Sequence, residues 1–272
     1  MLNFVILAEN RDGEVCSGEG GLSVYIKNND NEFLFDTGHS DLYKTNAEKL
    51  GIDLSKITTI VLSHGHSDHT DGVAFLDSQK TIIMHPEGFK ERYSKRQQKY
   101  VGFPMTKEEL ESKHNVILTK DAFEVVSGVF YIGEIPMNVD FEKDGNFSTT
   151  LDIELTQTDY TEDDSGIAIK TNKGLVIMTG CGHRGICNTI ERAKEVTGEN
   201  RVYAVLGGFH LRDLEKQKEK IDKTINYFDE NGVQRIYLGH CVTDDVIEYF
   251  EKNANNLEVF RLFSGSKFTI ED

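Results

Sequence analysis

The segment Thr59-Ile-Val-Leu-Ser-His64-Gly-His66-Ser-Asp68-His69-Thr-Asp-Gly72 constrains this chain more than any other. A β-branched apolar run, readable as a strand, passes directly into a polar loop that holds three histidines and an aspartate. Imidazole and carboxylate are ligands of borderline divalent metals, and neutral imidazole binds them without adding charge. In an extended loop His64 and His66 point to one side, whereas Asp68 and His69, at the turn into a helix, reach the other. One segment then feeds two adjacent metals. Only nine of the 272 residues are histidine, so composition alone does not account for this spacing. The C-terminal end of a strand is also where α/β sheets present their ligands.

The rest of the chain alternates strand and helix patterns. Apolar runs at Phe4–Leu7, Leu22–Ile26, Phe33–Phe35, Thr59–Leu62 and Thr81–Met84 read as strands in the first half. Gly166–Lys170, Leu175–Thr179, Arg201–Leu206, Arg235–Leu238 and Glu258–Leu262 follow in the second. Helical spacing marks Asp41–Leu50, Asn188–Thr197, Asp213–Asn231 and Asp244–Asn253, with Gly51 and Gly198 as stops for the first two. The alternation predicts an α/β architecture in a single domain over residues 1–272. Residues 85–165 break the pattern, and the expectation there is an irregular, partly mobile lid or insertion.

Composition narrows the function. Hydrophobic residues make up 38% and charged residues 28%, with three prolines, an ordinary globular balance. No apolar stretch is long enough to span a membrane, and Met1–Ala8 reads as a first strand rather than a signal peptide. Four cysteines without a secretion signal point to reduced thiols in the cytoplasm. A net charge of −16 argues against a nucleic-acid partner. The basic run Lys90-Glu-Arg-Tyr-Ser-Lys-Arg-Gln-Gln-Lys99 reads either as a solvated face or as a rim that draws in a small anionic substrate.

His64-x-His66-x-Asp68-His69 matches the His-x-His-x-Asp-His signature, and here the chain resembles the metallo-β-lactamase superfamily. Phe33-Leu-Phe-Asp36-Thr-Gly38 looks like the family's Asp-Thr-Gly turn, Leu175–His183 like its later metal loop, and Gly239-His240 like its last ligand turn. Gly133-Glu-Ile-Pro136, Thr179–Asn188, Gly207–Leu211 and His240-Cys241 are similar to a prokaryotic branch named for dihydropterin-aminobenzene-phosphate synthases. The resemblance implies a four-layer αβ/βα sandwich and two divalent ions, with zinc expected and manganese or iron as alternatives. It implies His64, His66 and His183 around the first ion, and Asp68, His69 and His240 around the second. Asp36 would orient the metal loop.

Where many members carry a Gly-Asp whose carboxylate bridges both ions, this chain reads Gly180-Cys181. Cys181 is either a thiolate ligand or a small buried residue. The departure also leaves open whether His183 or Asp163 completes the set. His210 reads as a structural histidine or as a pocket residue that contacts substrate or donates a proton, and with Asp68 it is the catalytic candidate. His39 is a weaker candidate, His85 and His114 read as surface or lid residues, and Cys187 and Cys241 as packing.

The implied activity is metal-dependent hydrolysis, by a metal-bound hydroxide, of a small ester, with a phosphoester favoured. A dihydropterin-aminobenzene-phosphate synthase-type enzyme and a metal-binding sensor with little catalysis are the alternatives. A nuclease and a flavin-linked redox enzyme fit less well. A homodimer is compatible with the sequence.

Overall fold

The apolar runs become strands and the amphipathic stretches helices, mostly within two residues of the sequence expectation. The computed structural model describes residues 1–143 and 147–271. In chain order its first elements are β1 (Leu2–Ala8), β2 (Ser23–Asn28), β3 (Asn31–Phe35), α1 (Leu42–Lys49), β4 (Thr59–Val61), α2 (Ser67–Thr70), β5 (Thr81–Met84), β6 (Tyr93–Ser94), α3 (Lys107–Lys113) and β7 (Asn115–Leu118). Then follow β8 (Phe123–Val126), β9 (Val129–Tyr131), β10 (Thr149–Thr150), β11 (Gly166–Thr171), β12 (Gly174–Thr179), α4 (Ile186–Thr197), β13 (Val202–Gly207), α5 (Leu214–Glu230), β14 (Arg235–Leu238), α6 (Asp244–Asn253), β15 (Glu258–Arg261) and β16 (Lys267–Ile270).

The chain divides into two compact units. The first comprises Met1–Lys120, Phe147–Asp163 and Phe263–Asp272. Its seven-stranded sheet has the order β16-β1-β2-β3-β4-β5-β7, antiparallel from β16 to β3 and parallel from β3 to β7. Tyr43 and Ala47 of α1 pack with Leu34, Ile60, Leu62, Ile82 and Met84 of the sheet. A separate two-stranded ribbon pairs Tyr93–Ser94 with Thr149–Thr150.

The second unit comprises Asp121–Asn146 and Asp164–Leu262. Its seven-stranded sheet runs β15-β14-β13-β12-β11-β9-β8, parallel from β15 to β12 and antiparallel beyond. Every residue of β12 and β13 is buried, which explains why their sequences are continuous apolar runs instead of alternating ones. Helix α5 buries Ile221, Thr224, Ile225 and Phe228, the i, i+3, i+4, i+7 stripe of a helix packed on a core. Gly198, at φ 69°, ends α4 in the left-handed conformation that glycine adopts without strain.

The segment 85–165 differs from the irregular lid expected from sequence. It contributes α3, β7 and the ribbon to the first unit and the β8–β9 hairpin to the second, while its residues 144–146 lie outside those described. His85 and His114 are buried, not surface residues: His85 Nδ1 accepts the Glu87 N–H at 3.1 Å, and His114 Nδ1 accepts the Lys80 N–H at 3.3 Å. No helix among the described residues is long and apolar enough to cross a membrane.

Candidate metal centre

The parallel register that sets Phe35 against Val61 brings the ends of β3 and β4 side by side. Asp36 follows β3 and Ser63 follows β4 by two residues, so a buried carboxylate meets the start of the histidine loop. Asp36 accepts the Ser63 N–H at 2.7 Å, the Ser63 hydroxyl at 2.8 Å and His69 Nδ1 at 2.7 Å. The resemblance gave Asp36 the task of orienting this loop, and these contacts perform it.

With Asp36 and Asp159 as acceptors, these contacts assign the protons of the ring nitrogens. His69 gives its Nδ1 proton to Asp36, which makes Nε2 its lone-pair nitrogen. The Ser63 hydroxyl proton goes to Asp36, so the same oxygen accepts from His64 Nδ1 at 2.9 Å and His64 Nε2 holds a lone pair. The Thr149 hydroxyl likewise donates to Asp159 at 3.0 Å, and its oxygen accepts from His66 Nε2 at 3.3 Å. His66 Nδ1 is then the lone-pair nitrogen. It faces His64 Nε2 at 2.9 Å.

Two lone pairs at that distance repel unless a positive charge sits against both. The donor chemistry, neutral imidazoles oriented by carboxylates one step behind, is that of a site for a borderline divalent cation. The rings of His64 and His69 are 4.3 Å apart and those of His64 and His66 4.6 Å apart. Asp68 keeps 35% of its side chain exposed and places an oxygen 3.9 Å from His69 Nε2. The first cluster read from sequence is therefore brought together in full.

In the second unit the parallel strands β12, β13 and β14 deliver Cys181 and His183, His210, and His240 and Cys241 from adjacent ends. His240 Nε2 lies 3.2 Å from Cys181 Sγ. Cys241 Sγ accepts the His210 N–H at 3.2 Å and donates to the Cys181 carbonyl at 3.4 Å. The donor atoms of Cys181, His240 and Cys241 all lie within 4.8 Å of one another, close enough to hold a metal ion. Cys181 is thus both buried and in contact with the expected ligand His240. Cys241 touches donor groups too, beyond the packing role expected of it. Cys187 does pack, in α4, where burial pushes its thiol pKa well up.

The rings of His183 and His210 lie 4.4 Å apart, tilted by 43° to each other. Burial first, then the neighbouring His183, Arg212 and His240, hold His210 well below the ordinary histidine pKa, so it is neutral at pH 7. Asp36, His210 and His240 all adopt positive φ, at 57°, 50° and 53°. A non-glycine residue held there costs on the order of 1 kcal/mol, a strain that concentrates at functional sites.

Other sequence candidates fall elsewhere. Asp163, considered beside His183, instead accepts the Gly65 N–H at 2.7 Å and pairs with Arg92 at 2.6 Å. His39 pairs with Asp71 at 3.2 Å near the surface. The basic run does not form a uniform rim, because Arg92 turns inward and Lys90 pairs with Glu87 and Glu162. Sequence reasoning missed Arg92, Thr149 and Asp159 as parts of this site. Burial opposes the Asp159 charge, but the Arg92 guanidinium and N–H donors prevail and hold its carboxyl below the usual range.

The family model described as the metallo-beta-lactamase superfamily matches residues 17–154. A Methanocaldococcus jannaschii protein named 7,8-dihydropterin-6-methyl-4-(beta-D-ribofuranosyl)-aminobenzene-5′-phosphate synthase is 33% identical over 237 residues, covering 81% of this chain and 80% of that one. A solved structure described as Tm1679, a metal-dependent hydrolase of the beta-lactamase superfamily, matches with TM-score 0.87 and 28% identity over 100% of both chains. The metallo-beta-lactamase fold protein YhfI from Bacillus subtilis shares the fold at TM-score 0.61 and 12% identity, covering 99% of this chain and 100% of that one.

Proposed function

Because this chain belongs to the metallo-β-lactamase superfamily, we propose that it is a metal-dependent hydrolase of a small anionic ester, with a phosphoester favoured. The observation that carries the reading is the buried pair of ring nitrogens, His64 Nε2 and His66 Nδ1, 2.9 Å apart, to both of which the hydrogen-bond partners assign a lone pair. In this proposal His64, His66 and His183 hold one divalent ion, and Asp68, His69 and His240 hold a second, zinc being the first choice. Such ions acidify water to a nucleophile near neutral pH and polarise the oxygen of an ester.

The chain's own residues supply the rest. Asp36 keeps His64 and His69 in the tautomers that can ligate. Asp68, a third exposed, orients the attacking water. His210, neutral through burial, offers a hydrogen-bonding ring to the substrate. The phosphoester preference draws on the named product of the Methanocaldococcus relative, which carries a 5′-phosphate. The four cysteines form no disulfide, which supports a cytoplasmic setting.

A second reading, a synthase of the type named for that relative, is favoured by the 33% identity. Protein loaded separately with zinc and manganese should hydrolyse an activated phosphodiester faster than an acyl ester or a lactone, and chelator should abolish the turnover. Tight metal binding with every ester left intact would sink the hydrolase proposal and leave the synthase reading. A His66→Ala variant with full metal content and activity would remove the metal-site assignment itself.

A further inference from the structure

Arg92 is the largest fully buried side chain among the described residues, although it lies in a run that reads as a basic surface. A guanidinium is tolerated there only when its charge and N–H groups are matched. Nε donates to Asp159 Oδ2 at 2.8 Å and Nη2 to Asp163 Oδ1 at 2.6 Å. Nη1 reaches the Gly88 carbonyl at 3.2 Å and Nη2 the Glu87 carbonyl at 3.3 Å.

Both carboxylates lead on to the histidine loop. Asp163 Oδ2 accepts the N–H of Gly65, the residue between His64 and His66, at 2.7 Å. Asp159 Oδ2 accepts the Thr149 hydroxyl at 3.0 Å, and that oxygen faces His66 Nε2 at 3.3 Å. The main chain adds a third link: Val101 N–H donates to the Arg92 carbonyl at 2.8 Å, and Ser67 N–H to the Val101 carbonyl at 2.9 Å. Pairing of β6 with β10 holds Tyr93–Ser94, next to Arg92, in register with Thr149–Thr150. There is no slack at the loop itself, because a Cβ on Gly65 would collide with the Gly88 carbonyl and come within 2.6 Å of Arg92 Nη1.

The direction of the Thr149 hydroxyl decides what the His64–His66 pair is. With its proton on Asp159, Thr149 accepts from His66 Nε2, and two lone pairs meet at 2.9 Å. With the relay broken, His66 can move its proton to Nδ1 and donate to His64 Nε2. That N–H···N bond satisfies both rings and excludes a cation.

We infer that Arg92 is a positioning residue for the metal site: through Asp159 and Thr149 it holds His66 as the Nε2–H tautomer, and through Asp163 it pins the loop between His64 and His66. The purpose of this device rests on the metal reading above, whereas the tautomer it sets is a property of the metal-free protein.

The test compares the parent with Thr149→Val, Thr149→Ser and Arg92→Lys. The imidazole ¹⁵N shifts of His66 are read without metal, and zinc affinity is read by competition with a chromophoric chelator. Thr149→Val keeps the shape of the side chain and loses the acceptor, so His66 should shift to Nδ1–H and zinc affinity should fall by about tenfold or more. Thr149→Ser keeps the hydroxyl and should restore parental values, a rescue that loss of packing would not give. Arg92→Lys keeps the charge, but a single ammonium cannot serve both carboxylates in fork geometry, so it should move both readouts in the direction of Thr149→Val. Should Arg92→Lys fail to fold, Thr149→Val stays informative because it leaves the buried ion pairs intact. A His66 that stays Nε2–H in folded Thr149→Val, with parental zinc affinity, overturns the inference. Were the parent to bind no zinc, the proposed function would fail by itself, and the ¹⁵N comparison alone would decide for or against the relay.

Discussion

Asp36→Asn should disarm two metal ligands by rearranging protons while leaving the backbone in place. The native carboxylate receives three hydrogen bonds, from Ser63 N, Ser63 Oγ and His69 Nδ1, at 2.7–2.8 Å. Asparagine can keep the bond from Ser63 N through its oxygen, but its NH₂ then points at two groups that were donors. Ser63 Oγ must turn to accept from it and give its own proton to His64 Nδ1. His69 Nδ1 must likewise become an acceptor. Both histidines are driven to Nε2–H, which removes the lone pairs that face the metal site. Disrupting the partner of one ligand typically costs 10–100-fold in metal affinity, so two disrupted ligands should cost about 10²–10⁴-fold. At 1.4 kcal/mol per tenfold, that is roughly 3–6 kcal/mol of binding free energy. Folding stability should fall less, by about 1–3 kcal/mol, since the side chain still fills its space and keeps one bond. Zinc competition, thermal melting and ¹⁵N spectra of the imidazoles read the three quantities. Parental zinc affinity in Asp36→Asn, or His64 and His69 still protonated at Nδ1, would refute the reasoning.

Three further outcomes are expected. Asp159→Asn, which removes a carboxylate held below its ordinary range, should cost on the order of 3 kcal/mol at neutral pH by leaving Arg92 short of a partner. Because a depressed carboxyl stabilises above its unfolded pKa and loses that contribution in acid, the gap in melting temperature between parent and variant should close as pH falls below the ordinary aspartate value of 3.8. A gap constant with pH would contradict this. Phe228→Ala should destabilise by about 3–5 kcal/mol, since the ring is fully buried against Phe209, Tyr227 and Phe250, yet leave zinc stoichiometry unchanged. Cobalt-loaded parent should show no sulfur-to-metal charge-transfer band, because the six proposed ligands are imidazoles and a carboxylate; a band that Cys181→Ser abolishes would add Cys181 to the set.

The histidine loop was legible because its donors lie within six positions directly after a strand, so local chain geometry is enough to bring them together. Helices α4, α5 and α6 were legible for the same reason, their apolar stripes being local. His183, His210 and His240 could be singled out one by one, but only the parallel order β12-β13-β14 makes them neighbours. Arg92 was not legible at all. Its partners Asp159 and Asp163 lie 67 and 71 residues away, and nothing in Lys90–Lys99 marks one cation as the inward one. The β8–β9 hairpin had a usable signal that was passed over: Ser127-Gly128 between β-branched runs is a turn dipeptide, and Gly128 does adopt φ 77°.

The first sheet is assembled from distant parts of the chain, since its outer strand β16 lies after the whole of the second unit. As the polypeptide leaves the ribosome, the second unit has all its residues by Leu262, while β1 still presents a bare edge that waits for Lys267–Ile270. Such an edge is a template for pairing with another chain. Completion of the first sheet therefore waits for one of the last segments to be made, and until then β1 is its open edge.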